Sequence, residues 1–293
     1  MTEPLVIIQA RMGSRRLPAK SLVNFRGHPI AILAARRAAS HGHNVVLATS
    51  TEASDNMLVN AAAAAGLAVV RGPLDDVLAR FCKALGNTAD RTPVLRLTGD
   101  NIVPDGGLIT EVIEAFETAD ADYMTTGTVA SGLPYGVSIE VTRASHLRAA
   151  QAEAKTAYER EHVTPWIRAR FPTVVFDLYR AMALDRFRLT IDTFDDLISI
   201  DRVFPKDCNP QNVPWLDIVL RAHLGLFQPT TSSKCDDLIL GTAQLGMRYG
   251  INNSTVIGPD TGRDMIREAI ANGVGGYGEG LWDQRADRWV SYR

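Results

Sequence analysis

Directly after the apolar run Leu5–Ile8, the stretch QARMGSRRLPAK (residues 9–20) gathers four cations, a glycine, a serine and a proline. A buried-strand run that stops at such a loop is a candidate site for a polyphosphate. Gly13 lets the backbone turn tightly and bring N–H groups toward phosphate oxygens, while Arg11, Arg16 and Lys20 neutralise their charge. The spacing is neither G-x-x-x-x-G-K-[ST] nor G-x-G-x-x-G, so the common nucleotide motifs do not claim it. On charge alone, a basic solvated loop explains the same residues. Two carboxylates stand in comparable places: Asp100 closes LRLTGDN and Asp192 closes FRLTIDT. Each would project from the carboxyl end of a strand. Two such oxygens suit Mg2+, which takes one or two carboxylates and completes its shell with phosphate and water. Taken singly, either aspartate equally suits a loop or helix cap.

The elements that must position these groups alternate. HPIAILAARRAASHG has helical apolar spacing, NVVLATS reads as a second strand, DNMLVNAAAAAG as a helix and LAVVRG as a third strand. PLDDVLARFCKALG (helix), PVLRLTGDN (fourth strand) and GGLITEVIEAFETAD (helix) continue the series. Repeated β–α alternation predicts an α/β fold: a mainly parallel sheet with helices on both faces, whose ligands lie at the carboxyl ends of the strands. From Asp122 the pattern changes. DYMTTG and YGVSIEV read as antiparallel additions, RASHLRAAQAEA and TAYEREHVTPWIRARF as helices with Pro165 kinking or dividing the second, and TVVFDL and FRLTID as strands. DDLISIDRVF and PWLDIVLRAHLG read as helices, and the polar, proline-containing FQPTTSSKCDD as a linker. We therefore expect one domain over 1–228, a linker over 229–235 and an incomplete unit over 236–293.

The wording A-R-x-G-S-x-R-L-P-x-K-x-L, at residues 10–22, resembles the opening motif of the cytidylyltransferases that make CMP-sugars, including the CMP-Kdo and CMP-sialic acid synthetases. It is closest to the branch described as spore-coat polysaccharide biosynthesis or acylneuraminate cytidylyltransferase-like. G-D-x-x-x-P at Asp100 and I-D-T-x-x-D-L at Asp192 resemble that family's two metal motifs, in family order. The resemblance implies a Rossmann-like nucleotide-diphospho-sugar transferase fold. It implies CTP held by Arg11, Gly13, Ser14, Arg16 and Lys20, with Arg11, Arg16 and Lys20 stabilising the departing pyrophosphate, and Mg2+ held by Asp100 and Asp192. Thr190 stands where some sialic-acid synthetases carry an acid, so the number of metal ions stays open. Arg71, in VVRGP, matches an arginine that some members place beside the base, and a solvent-facing loop cation fits it equally. A homodimer is implied on the same grounds. The alternatives are a glycosyltransferase on the same fold, whose usual D-x-D motif is not evident, and a catalytically silent binding module.

On the acceptor side, YEREHVTPWI offers Arg160 and His162, and YGVSIEV offers Glu140. These are candidate sugar contacts; they read equally well as a solvated helical face, a hydrogen-bonded histidine and an edge-strand carboxylate facing water. Asp195 and Asp196 suit the first turn of a helix without any catalytic role. DDLILGTAQLGMRYGINN and DMIREAIANGV resemble the first strand and helix of an aldo/keto reductase barrel, but GGYGEGLWDQRADRWVSYR departs from that pattern. One βα unit of eight carries no reductase active site.

Composition bounds the rest. With 293 residues and 46% hydrophobic content the chain can bury a large core, and its formal charge of −2 gives no bulk attraction to nucleic acid or anionic membrane. Cys82, Cys208 and Cys235 are scattered and lack metal-ligand spacing. The opening MTEPLVIIQA lacks a basic segment ahead of a long apolar core, and no apolar run approaches a membrane span. A cytoplasmic protein acting on CTP and a sugar is the expectation.

Overall fold

The computed structural model describes residues 3–14 and 16–226, and, beyond them, residues 235–241, 264, 267, 274–278, 280–283 and 288–291. Contacts divide the chain into two units, Met1–Gln228 and Pro229–Arg293.

The first unit is built on strand β1 (Leu5–Gln9), whose alternate side chains feed two different cores. Val6 and Ile8 face one and Leu5 and Ile7 the other, and all four are buried. A strand apolar on both faces belongs inside a helix-covered sheet. β1 pairs in parallel with β4 (Asn44–Ser50) and β6 (Pro93–Thr98), and β4 pairs in parallel with β5 (Ala68–Gly72). β8 (Glu140–Arg143) joins β6 antiparallel, β7 (Tyr123–Thr125) joins β8 antiparallel, and β9 (Thr173–Val175) joins β7 in parallel. The order is β5-β4-β1-β6-β8-β7-β9, and a small hairpin of β2 (Asn24–Phe25) and β3 (His28–Pro29) lies apart. Helices α1 (Ile30–Ala38), α4 (Gly106–Thr118) and α9 (Trp215–His223) supply one core. Helices α3 (Val77–Leu85), α5 (Ala144–Glu153) and α7 (Pro165–Arg168) supply the other. α2 (Asn56–Ala64) follows β4, and α8 (Phe194–Val203) follows the segment carrying Asp192.

Pro165 divides its helix: α6 (Ala157–His162) ends before it, and the short α7 begins on it. A ring without an N–H is tolerated in a first helical turn and not in an interior. Two expectations change. FRLTID is not a strand; apart from one bridge, Tyr135 to Arg188, it runs as irregular chain. Its main chain is tied by Leu189 N–H to the Tyr135 carbonyl at 2.7 Å and by Ile191 N–H to the Asp100 carbonyl at 3.1 Å. Glycine at 136 permits this close passage: a Cβ there would come within 2.5 Å of the Leu189 backbone, and its φ is +101°. YGVSIEV contributes only its end to β8, and β8 lies between β6 and β7, so Glu140 is not on an edge.

In the second unit, β10 (Cys235–Gly241) and β11 (Val274–Gly278) pair in parallel, and β12 (Gly280–Asp283) and β13 (Arg288–Ser291) pair antiparallel. Most of the expected linker and the glycine-rich stretch of the reductase-like segment lie outside the described residues. Among the described residues, no helix is long and apolar enough to cross a membrane.

Candidate active site

The cationic loop leaves β1 at the middle of the sheet and is held from beneath. Buried Asp55, on the turn before α2, accepts the Met12 N–H at 2.8 Å, the Thr49 hydroxyl at 2.9 Å, and both the N–H and the hydroxyl of Ser50. One carboxylate thus fastens the loop to the end of β4. Burial alone would raise the Asp55 pKa, but the hydrogen bonds from Ser50, Met12 and Thr49 prevail and hold it below the usual carboxylate range. The Ser21 hydroxyl donates to the Arg11 carbonyl at 2.8 Å, closing the other side of the loop.

The loop borders a cleft of about 570 Å³ lined by Arg11, Gly13, Ser14, Arg16, Lys20, Asp100 and Asp192, all expected from the sequence. At its centre the Lys20 ammonium lies 2.7 Å from Asp100 Oδ2 and 2.9 Å from Asp192 Oδ1. Arg16 reaches the same Asp192 oxygen at 2.8 Å, and Arg188 reaches the other at 2.6 Å. Asp100 arrives at the end of β6; Asp192 arrives on the irregular segment tied to the Asp100 carbonyl. Burial works to raise the Asp192 pKa, and Lys20, Arg188 and Arg16 outweigh it, so the carboxylate is held ionised below its ordinary range. Asp196 accepts the Asp192 and Thr193 N–H groups and pairs with Arg188, completing a capping box at the start of α8, in keeping with a helix-terminal role.

The remaining candidates separate. His162 lines the cleft from the end of α6, together with its neighbour Glu161. Arg160 is absent from the lining: its guanidinium pairs with Asp76 at 2.7 Å and donates to the Ala154 carbonyl at 3.0 Å, fastening α6 to the start of α3. Arg71 also lies outside the lining. It donates to the Ser50 carbonyl, the Glu52 carbonyl and Asn56 Oδ1, all within 2.9 Å, and so braces the chain after β4. It is neither a free loop cation nor a cleft residue here.

Glu140 lines a second pocket of about 220 Å³ with Arg96, Tyr123, Thr125, Ser138 and Arg168; Thr98 borders both pockets. Its carboxylate accepts from Arg96, from the Tyr123 hydroxyl, and from the Thr164 hydroxyl at 2.7 Å. The edge-facing alternative is therefore wrong, because the side chain is enclosed between neighbouring strands. Burial opposes its charge, but Arg96, Tyr123 and Thr164 hold the Glu140 pKa below the usual range. Burial and Glu140 together push the Tyr123 phenol well above its own, so it stays a donor.

Two groups, one beneath the cationic loop and one in the cleft wall, were not apparent from the sequence. Asp55 sits in TEASDN, which looks like an ordinary helix start; its bond to Met12 spans 43 residues. Arg80 sits in DDVLARFC, where it looks like a polar-face cation, yet it is 2% exposed and lines the cleft. Only the glycine at 72 hints at it, since a Cβ there would meet the Arg80 side chain at 2.7 Å.

With a cationic loop, two carboxylates and a polar crevice assembled at strand ends, comparison with known proteins becomes informative. Residues 5–208 match the family model for cytidylyltransferases. The spore coat polysaccharide biosynthesis protein SpsF of Bacillus subtilis (strain 168) is 33% identical over 221 residues, covering 70% of this chain and 88% of that one. The 3-deoxy-manno-octulosonate cytidylyltransferase of Mesorhizobium japonicum is 33% identical over 129 residues, 42% of this chain and 52% of that one. A solved cytidylyltransferase from Leptospira borgpetersenii serovar Hardjo-bovis superposes with a TM-score of 0.68 at 26% identity, covering 79% of this chain and 98% of that one. A solved CMP:2-keto-3-deoxy-manno-octonic acid synthetase in complex with CTP superposes with a TM-score of 0.50 at 15% identity, covering 68% of this chain and 97% of that one, a likeness of fold. The matched span holds the loop, Asp100 and Asp192 alike, and on that span the chain belongs to the cytidylyltransferase family.

Proposed function

We propose that this protein transfers CMP from CTP to a sugar hydroxyl, releasing pyrophosphate, in a magnesium-dependent reaction that serves surface polysaccharide biosynthesis. The observation carrying the reading is the convergence of Lys20, Asp100 and Asp192 on one point beneath a cationic loop. The relative named for spore coat polysaccharide biosynthesis supports the destination of the product.

The donor set fits magnesium. Asp100 and Asp192 offer hard oxygens close enough to share one ammonium, and among the described residues no cluster of three or more acidic, histidine or cysteine ligands would favour a self-sufficient protein cage. Two carboxylates plus phosphate and water is a common arrangement for this ion. When bound, Mg2+ held by Asp100 and Asp192 would act as a Lewis acid that stabilises the charge developing during transfer. Lys20 and Arg16 exchange their carboxylate partners for phosphate oxygens as CTP enters, which frees Asp100 and one Asp192 oxygen, while Arg188 keeps the other. Loop N–H groups around Gly13 and Ser14, with Arg11, hold the triphosphate in line. The sugar oxygen forms a bond to the α-phosphorus as the bond to the bridging oxygen of pyrophosphate breaks. The leaving group takes that electron pair, and the hydroxyl proton passes to solvent. No covalent link to the protein is needed. The pocket containing Glu140, which shares Thr98 with the cleft wall, is where we seat the acceptor, with His162 lining the cleft.

A homodimer is the expected assembly. For residues 236–293 we propose a fragment of an aldo/keto reductase barrel without reductase activity. The test is product analysis: purified protein, CTP, Mg2+ and a panel of acidic and neutral sugars, with pyrophosphate release and CMP-sugar mass as readouts. CTP-specific, chelator-sensitive product with at least one sugar is expected. Pyrophosphate release that ignores chelation would remove the metal, and preference for another nucleotide would remove the CTP assignment.

A further inference from the structure

Arg80 is a charged side chain that the fold buries and leaves almost unpartnered. It projects from α3 into the wall of the cleft at 2% exposure, its Nε has no hydrogen-bond partner, and a terminal nitrogen makes one long bond to the Leu74 carbonyl at 3.3 Å. No carboxylate among the described residues pairs with it. Two nearby acids are committed elsewhere: Asp76 caps α3 at the Ala79 N–H and pairs with Arg160, while Asp55 is consumed by Met12, Thr49 and Ser50; Asp75 forms no ion pair with Arg80. Burial pushes the Arg80 guanidinium below its usual range, and nearby Arg11 pushes the same way. Arg11 itself makes no ion pair or side-chain hydrogen bond with a described residue, and it lines the same cleft.

Two like charges facing one cavity, one of them buried and unpaired, is an arrangement a fold keeps only against a cost of several kcal/mol. The niche is specific, since glycine at 72 is what lets the Arg80 stem lie against β5. The opposite side of the cleft is arranged differently, because Lys20, Arg16 and Arg188 already have carboxylate partners there. An entering anion therefore gains most on the Arg11–Arg80 side, where it displaces no ion pair.

We propose that Arg80, together with Arg11, forms an anion subsite that takes the pyrophosphate end of the nucleoside triphosphate and retains it as the leaving group. This rests on the nucleotidyl-transfer reading above. Arg80 is a binding residue of the cleft, and its guanidinium fork suits two phosphate oxygens at once.

The test uses the full chain in magnesium buffer, with calorimetric titration of inorganic pyrophosphate, CMP and CTP, and thermal melting without ligand, for wild type, Arg80→Met and Arg80→Lys. Arg80→Met is expected to weaken pyrophosphate and CTP by about ten- to a hundred-fold. It should leave CMP affinity unchanged and melt no lower than wild type, because it removes an unpaired buried charge. Arg80→Lys, which keeps charge without the fork, should fall between. Unchanged pyrophosphate affinity overturns the proposal. So does equal loss of CMP, or a variant that melts lower or fails to fold, since the side chain would then be structural. Wild type that binds pyrophosphate but not CTP overturns the nucleotidyl-transfer reading and leaves the subsite standing; wild type that binds neither overturns both.

Discussion

Two charged clusters flank β6, one across its pairing with β8 and one beyond its carboxyl end, and they are built in opposite ways. Arg96 and Glu140 are register partners on adjacent strands, and Tyr123 and Thr164 close over the carboxylate from β7 and from the turn before α7. Lys20, Asp100 and Asp192 come from a loop, a strand end and an irregular segment, brought together across 80 and 172 residues. The first cluster is a cross-strand pair whose oxygens are occupied by fixed donors; it fastens the sheet. The second faces an open cleft, and its carboxylate Asp192 touches three cations at once, so partners can be traded when a ligand arrives. Ion pairing alone therefore does not mark a functional group. What distinguishes the site is that its members hang on separate segments and share partners that can be exchanged.

That contrast can be broken by exchanging one atom at a time. Asp192→Asn should lower magnesium-dependent turnover by at least about a thousand-fold, the scale of losing a principal electrostatic contact, while its melting temperature stays near wild type because Lys20 retains Asp100 and Arg188 retains Asp196. Steady-state pyrophosphate release beside a thermal melt checks both halves, and normal turnover would take Asp192 out of the site. Glu140→Gln should do the reverse. It strands Arg96 in the sheet and should lower stability by about 3 kcal/mol, roughly 6–12 °C of melting temperature for a unit of this size. CTP affinity measured well below the melt should persist. A stable Glu140→Gln that has lost turnover would move Glu140 into the catalytic group.

A smaller effect sharpens the comparison through pH. Asp55 has a folded pKa below its ordinary 3.8, so the stability it adds is complete above that value and is lost as pH falls through the folded pKa. Denaturant unfolding of wild type and Asp55→Asn at neutral pH should differ by about 1–2 kcal/mol, and the gap should narrow at pH 3. A gap that does not change with pH would mean that Asp55 acts through packing and not through charge.

Much of this was legible in the sequence because it is local. The A-R-x-G-S-x-R-L-P-x-K wording, the glycine before Asp100 and the β–α alternation each lie within a short span, and the parallel half of the sheet follows from them. Arg80, Asp55 and the true surroundings of Glu140 were not legible, because each is defined by a partner far along the chain. Arg160 and His162 teach the same point from adjacent positions. Two residues apart on one short helix, the first turns to Asp76 and the second to the cleft, which helical spacing permits but does not decide.

The main-chain bond from Ile191 to the Asp100 carbonyl has a consequence for the order of assembly. β1 pairs with β4 and β6, both of which precede Asp100 in the chain, whereas the second carboxylate is delivered only after the chain has completed β8, α5, α6, α7 and β9 and returned past Gly136. In a chain made from its amino end, that contact is therefore among the last of the first unit to become available. A growing or partly unfolded chain would then carry the cationic loop without its acidic counterpart, able to attract phosphate but unable to turn it over. Catalytic competence becomes a report that the whole first unit has closed.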